Sequence, residues 1–147
     1  MFADLLKRLI QPAADQPLPD SDARLALGAL LVRIARADGH YAPEEVNRID
    51  RILMSRYALS PHAVIALRKE AEVLESEAPD PVRFTRAIKD AVPSEERLGV
   101  IEALWQVALA DGGRDQAEDA LMRMVSNMLG VTDQDSAMAR QRMQGPS

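Results

Sequence analysis

Two segments of the chain place carboxylates in the same setting. Ile34-Ala35-Arg36-Ala37-Asp38-Gly39 aligns with Val107-Ala108-Leu109-Ala110-Asp111-Gly112, 73 residues further on. At that offset Glu45 falls on Glu118, Ile49 on Met122 and Ile52 on Val125. Each segment reads as a helix ending in Ala-Asp-Gly, a short loop, and a Glu in the first turn of the next helix. An Asp at a helix C-terminus sits against the negative end of the macrodipole, at a cost of roughly 0.3–1 kcal/mol. A bound cation would reverse that cost, and the free carbonyls of the helix end could join it as oxygen ligands. Glu45 and Glu118 occupy first turns, where negative charge is favoured. If the two hairpins face each other, four carboxylates converge, and they cannot all stay ionised without a cation or bound protons. Hard oxygen donors suit Mg²⁺, Ca²⁺ or Mn²⁺, and His40 would add a nitrogen donor that favours a transition metal such as Zn²⁺.

The same residues also have structural roles open to them. Glu118 completes a capping box with Asp115. Gly39 and Gly112 suit the left-handed ends of their helices. Asp38 and Asp111 can cap the following helix across the loop, and Ala42, which has no acceptor side chain, leaves Asp38 a vacancy to fill. Both roles are open to these residues.

The elements that must position these acids are helical. Ser21 or Asp22 can cap a helix over about Ala23–Ala37, with Leu27, Leu30, Leu31 and Ile34 on one face. Pro43 opens a helix to about Tyr57, Ser60-Pro61 another, and Asp80-Pro81 a third that ends near Val92. Pro93-Ser94 opens the helix carrying Leu98, Ile101, Leu104, Trp105 and Leu109. Asp115 starts the next, with Leu121, Met122, Val125 and Met128 as its apolar face, and Thr132 can cap a final one. Phe2, Leu5, Leu6, Leu9 and Ile10 give a short N-terminal amphipathic helix, followed by a linker holding Pro12, Pro17 and Pro19. The expected architecture is an all-α bundle of seven to eight helices with two pseudo-symmetric helical hairpins. Residues 1–20 form the short helix and linker, and 21–143 the domain.

Composition agrees. Aromatics are 3% of 147 residues while helix-forming aliphatics abound, which disfavours strands. A net charge of −5 argues against non-specific nucleic-acid binding. The absence of cysteine excludes disulfides, zinc–thiolate sites and thiol catalysis, and fits a reducing compartment. No run approaches the ~20 apolar residues of a membrane span. Met1–Ile10, interrupted by Asp4, Lys7 and Arg8, does not read as a secretory signal, so a cytoplasmic address is expected.

Ala-Asp-Gly followed by Glu seven residues after the Asp, twice in a small helical chain, resembles the TerB-like (tellurite-resistance) family over roughly Ala23–Val131. The resemblance implies an all-helical bundle, an acidic set able to bind a divalent metal ion, and a link to tellurite-type stress responses, often through partners at the membrane. Carried over, the acidic set is Asp38, Glu45, Asp111 and Glu118. The halves differ at Glu44, which corresponds to Ala117, and at Asp115, which corresponds to Ala42.

His40 and His62 read as solvated. Trp105, Met122, Met124 and Met128 read as core. Glu70, Glu72, Glu75 and Glu77 read as a solvated acidic face, and Arg33, Arg36, Arg48, Arg51 and Arg56 as surface salt-bridge partners. No nucleophile triad, Gly-rich phosphate loop or His-Glu-x-x-His occurs. The expectation is a small binding module, not an enzyme, that engages a partner protein and holds Ca, Mg, Mn or Zn at the acidic set. A metal-free interaction domain and a metal-dependent hydrolase are the alternatives.

Overall fold

Residues 25–32, Leu-Ala-Leu-Gly-Ala-Leu-Leu-Val, form a run of eight without a charge. A helix apolar on every side is driven inside, and that is where this one lies. The computed structural model describes residues 20–78, 80–110 and 116–144, with the backbone alone at 20–22 and 116–117. The expected N-terminal helix and linker therefore lie outside the described residues.

Helix α1 (Asp20–Ala35) is the central element. It packs chiefly against α3 (Pro61–Glu77) and α4 (Pro81–Ala91), and also against α2 (Pro43–Tyr57), α5 (Arg97–Ala108) and α6 (Gln116–Met128). Leu25, Leu27, Leu30, Leu31, Val32 and Ile34 are all buried, not only the single stripe expected. Each such side chain contributes about 1.5–3 kcal/mol of burial. Gly28 permits the closest approach, since a Cβ there would stand 3.0 Å from the Ala71 Cβ on α3. The helix begins before its expected start, so Ser21 and Asp22 fall in its first turn and not at the cap. At its other end it stops at Ala35, and the chain tightens through Gly39 N–H to the Arg36 carbonyl (3.0 Å), with Gly39 at φ +83°.

A 3-10 turn (Ser94–Glu96) leads into α5, and α7 (Asp133–Gln144) is the last described helix. Among the described residues there are seven α-helices and no strand. The repeat extends further than two hairpins. At the 73-residue offset α1 falls on α5, α2 on α6 and α3 on α7. The dominant pairing of α1 with α3 is matched by that of α5 with α7. Helix α4 belongs to neither unit and closes over α1. Caps follow the sequence: Ser60 Oγ accepts from Ala63 N–H, Asp80 Oδ1 from Val82 N–H and Thr132 Oγ1 from Asp135 N–H. Among the described residues no helix is long and apolar enough to cross a membrane.

Among the described residues one non-glycine has a positive φ. Ala58 ends α2 with φ 53° and ψ 45°, a left-handed conformation in which its Cβ is unfavourable. Ala58→Gly is expected to raise stability by about 0.5–1 kcal/mol in urea denaturation, because relief at the left-handed position outweighs glycine's extra freedom when unfolded.

Different polar links lock the two units. In the first, Arg68 Nε donates to Asp50 Oδ1 (2.6 Å) and Arg68 Nη1 to Glu72 Oε2 (3.0 Å). Tyr41 Oη donates to that same Glu72 oxygen (2.7 Å). Arg36 binds Glu75 (2.6 Å) and lies over the Tyr41 ring. In the second, Trp105 Nε1 donates to Ser136 Oγ (3.0 Å), and the Ser126 and Ser136 hydroxyls are 3.1 Å apart, joining α5, α6 and α7. Glu75 is thus buried, and Glu72 half-buried, where a solvated face was expected. Glu75 lies four residues after buried Ala71, on the edge of the apolar stripe. Met124 is exposed rather than core, because it falls off the Leu121–Met122–Val125 stripe.

Burial, then the hydrogen bond to Glu72 and the charge of that carboxylate, push the Tyr41 phenol well above its ordinary value of 10.0. A group whose folded value is raised adds stability that is complete below the unfolded value and is lost as pH rises through the folded one. Phenolate absorbance should therefore show Tyr41 still protonated at a pH of about 10, where an unfolded tyrosine is half ionised. Tyr41→Phe should remove this group's share of the alkaline loss of stability.

Candidate acidic site

Asp38 lies in the turn after α1 and is half-buried. Its Oδ1 accepts the His40 backbone N–H at 2.9 Å. This closes an Asx turn within the loop. The cap across the loop expected of Asp38 is not what that oxygen does. Asp38 engages one oxygen in this way.

The vacancy at Ala42 is met from inside the helix instead. Ala42 is extended (φ −73°, ψ 151°), and Pro43 follows at the first helical position, where its missing N–H costs nothing. Glu45, the third residue of α2, reaches back so that Oε1 accepts the Ala42 N–H at 3.0 Å. With no acceptor on Ala42, the Glu45 N–H donates to the Ala42 carbonyl at 3.0 Å. Only the glutamate half of a capping box is therefore built. Glu45 has no exposed surface.

Glu118 occupies the equivalent place. It is the third residue of α6, as Glu45 is of α2, and it is 3% exposed. The offset that aligns the two glutamates in sequence also aligns them in helix position and in burial. Glu44, the first unit's extra acid, is exposed. Asp111 and Asp115 lie outside the described residues, and so does the capping box expected between Asp115 and Glu118.

Three of the four expected ligands are thus placed, two of them buried. Among the described residues no three His, Asp or Glu form a group that could hold a metal ion. Asp38, Glu45 and Glu118 do not form such a group by themselves. His40 is exposed, and its backbone N–H serves Asp38. His62 is exposed, as expected. The chemistry available is that of carboxylate oxygen: binding a hard cation, or accepting N–H donors at helix starts. What the sequence reading missed is the Tyr41–Glu72–Arg68–Asp50 chain beside this loop. Its one sequence signal is the four-residue spacing of Arg68 and Glu72.

Comparison with curated proteins and with solved structures gave no match. The family model described as tellurite resistance protein TerB matches residues 24–141, which run from the start of α1 into α7. With both helical units and both buried glutamates inside that span, the chain belongs to the TerB family.

Proposed function

We propose that this chain is a small binding module that engages a partner protein, with the affinity set by a divalent cation held by Asp38, Glu45, Asp111 and Glu118. The observation that carries this reading is the matched burial of Glu45 and Glu118 at the third position of equivalent helices. Two carboxylates drawn inside the protein at matched places concentrate negative charge, which a cation offsets more strongly than hydrogen-bond donors alone. Oxygen donors suit Ca²⁺, Mg²⁺ or Mn²⁺, with Zn²⁺ as the transition-metal candidate. In this reading the module works in the cytoplasm, in a tellurite-type stress response, and its partner is membrane-associated. It acts by binding and not by turnover.

A metal-free interaction domain is the second reading. It is favoured by the hydrogen bonds that already occupy Asp38 and Glu45.

Thermal unfolding with each metal separates the two. Binding to the native state alone raises the melting point, by about 2.7 kcal/mol of stability at a hundredfold excess over Kd. One of the four ions is expected to raise the melting temperature of the wild type and not that of Asp38→Asn/Asp111→Asn. An unchanged midpoint at millimolar metal, or an equal rise in the double variant, favours the metal-free domain. Hydrolysis of a phosphodiester or ester panel, abolished by the same variant, would instead identify a hydrolase.

A further inference from the structure

We propose that the groove between α2 and α5 binds an acidic amphipathic helix of a partner protein. The groove has a volume of about 530 Å³, and Met143 of α7 also lines it. Arg48, Arg51 and Arg56 line it from α2. Sequence spacing suggested that these arginines would form surface salt bridges. Among the described residues none of the three does, not even Arg48 with Glu44 one turn before it. Glu102, the acid in the lining, is already held by Arg142 at 2.9 Å. A chain of net charge −5 thus gathers along one groove three guanidinium groups that form no ion pair among the described residues.

Shape narrows the occupant. Arg48 to Arg56 spans eight residues, about 12 Å of helix axis. A single phosphate cannot bridge that length, whereas carboxylates one turn apart on a helix can follow it. Between the arginines the lining includes Ile52, Ala103 and Met143, an apolar floor for the other face of such a helix. A lipid headgroup plane is flat and would leave a concave floor unfilled. Gly99, on the α5 side, puts no side chain into the groove, and a Cβ there would meet only the Arg56 Nη1, in ordinary contact at 3.9 Å. The inference rests on the binding-module reading for the existence of a partner, but it needs no metal.

The test uses fluorescence anisotropy of a synthetic helical peptide with glutamates one turn apart and leucines on the opposite face. The full chain should bind it, more weakly as salt rises. Arg48→Glu/Arg51→Glu/Arg56→Glu should weaken binding by roughly tenfold or more and should bind instead the peptide with lysines for glutamates. Gly99→Leu changes no charge and favours helix, so it should fold and still weaken binding by filling the groove. Equal affinity of the wild type and Gly99→Leu, or no peptide binding, overturns the proposal. So does binding to vesicles of phosphatidylglycerol in place of the peptide, or a dimer of this chain that the arginine reversal dissolves. Peptide binding that survives in Asp38→Asn/Asp111→Asn supports the groove even if the metal reading fails.

Discussion

Trp105→Ala is expected to destabilise the protein by about 3–5 kcal/mol, the range for deleting a large buried aromatic. Trp105 is 6% exposed, and its indole N–H is one of the polar links that join α5 to α7. The variant opens a cavity among three helices and also removes the donor to Ser136, a hydroxyl that is itself buried. Ser126 still reaches Ser136, so the hydroxyl keeps one partner and the cavity dominates the loss. For a chain of this size the melting temperature should fall by on the order of 10 °C. Trp105→Phe separates the contributions. It keeps most of the ring and loses only the N–H, so it should cost about 1 kcal/mol for the hydrogen bond plus a small packing loss. Equal losses in the two variants would show that the indole N–H, and not the ring, holds the second unit together.

Arg68→Met should cost about 2–3 kcal/mol. This is below the 3–5 kcal/mol of a fully buried pair, because the partners retain some solvent. The methionine keeps the aliphatic stem but removes the cation that bridges Asp50 of α2 and Glu72 of α3. Arg68, Asp50 and Glu72 have side chains 13%, 20% and 22% exposed, so the stranded carboxylates are poorly hydrated. Tyr41 still donates to Glu72, which leaves Asp50 as the principal orphan. Asp50→Asn in the Arg68→Met background should therefore recover about 1 kcal/mol in urea denaturation. No recovery would mean that the arginine contributes by packing, not by charge.

Much of the fold can be read from the chain because its signals are local. Pro43, Pro61 and Pro81 each begin a helix, and Ser60, Asp80 and Thr132 cap as their types predict. The Asp-Gly–Glu repeat marked the two units, since an offset that preserves apolar positions must preserve packing as well. Its extension to α3 and α7 was hidden, because there the shared feature is the packing partner and not a motif. Long-range polar pairs were equally hidden. Asp50–Arg68 and Arg36–Glu75 join residues 18 and 39 positions apart, and no helical spacing announces them. Glu75 departs from the solvated face expected of four neighbouring glutamates because the helix turns it, alone of the four, onto the buried side. At the site, the sequence identified the acids but not their surroundings. Burial of Glu45 and Glu118 depends on how α2 and α6 pack, and the roles of Asp38 and Glu45 depend on loop geometry.

In the proposed reading the paired acids hold one divalent cation. Electron paramagnetic resonance of free Mn²⁺, titrated with the full chain, tests it most directly, with Ca²⁺, Mg²⁺ and Zn²⁺ as competitors. The expected result is saturable loss of the free-ion signal at one ion per chain, or its equivalent for a competitor ion that displaces Mn²⁺, and no such loss in Asp38→Asn/Asp111→Asn. An undiminished Mn²⁺ signal at millimolar protein, or equal uptake by the double variant, would contradict it and leave Glu45 and Glu118 as structural acids of the two helix starts.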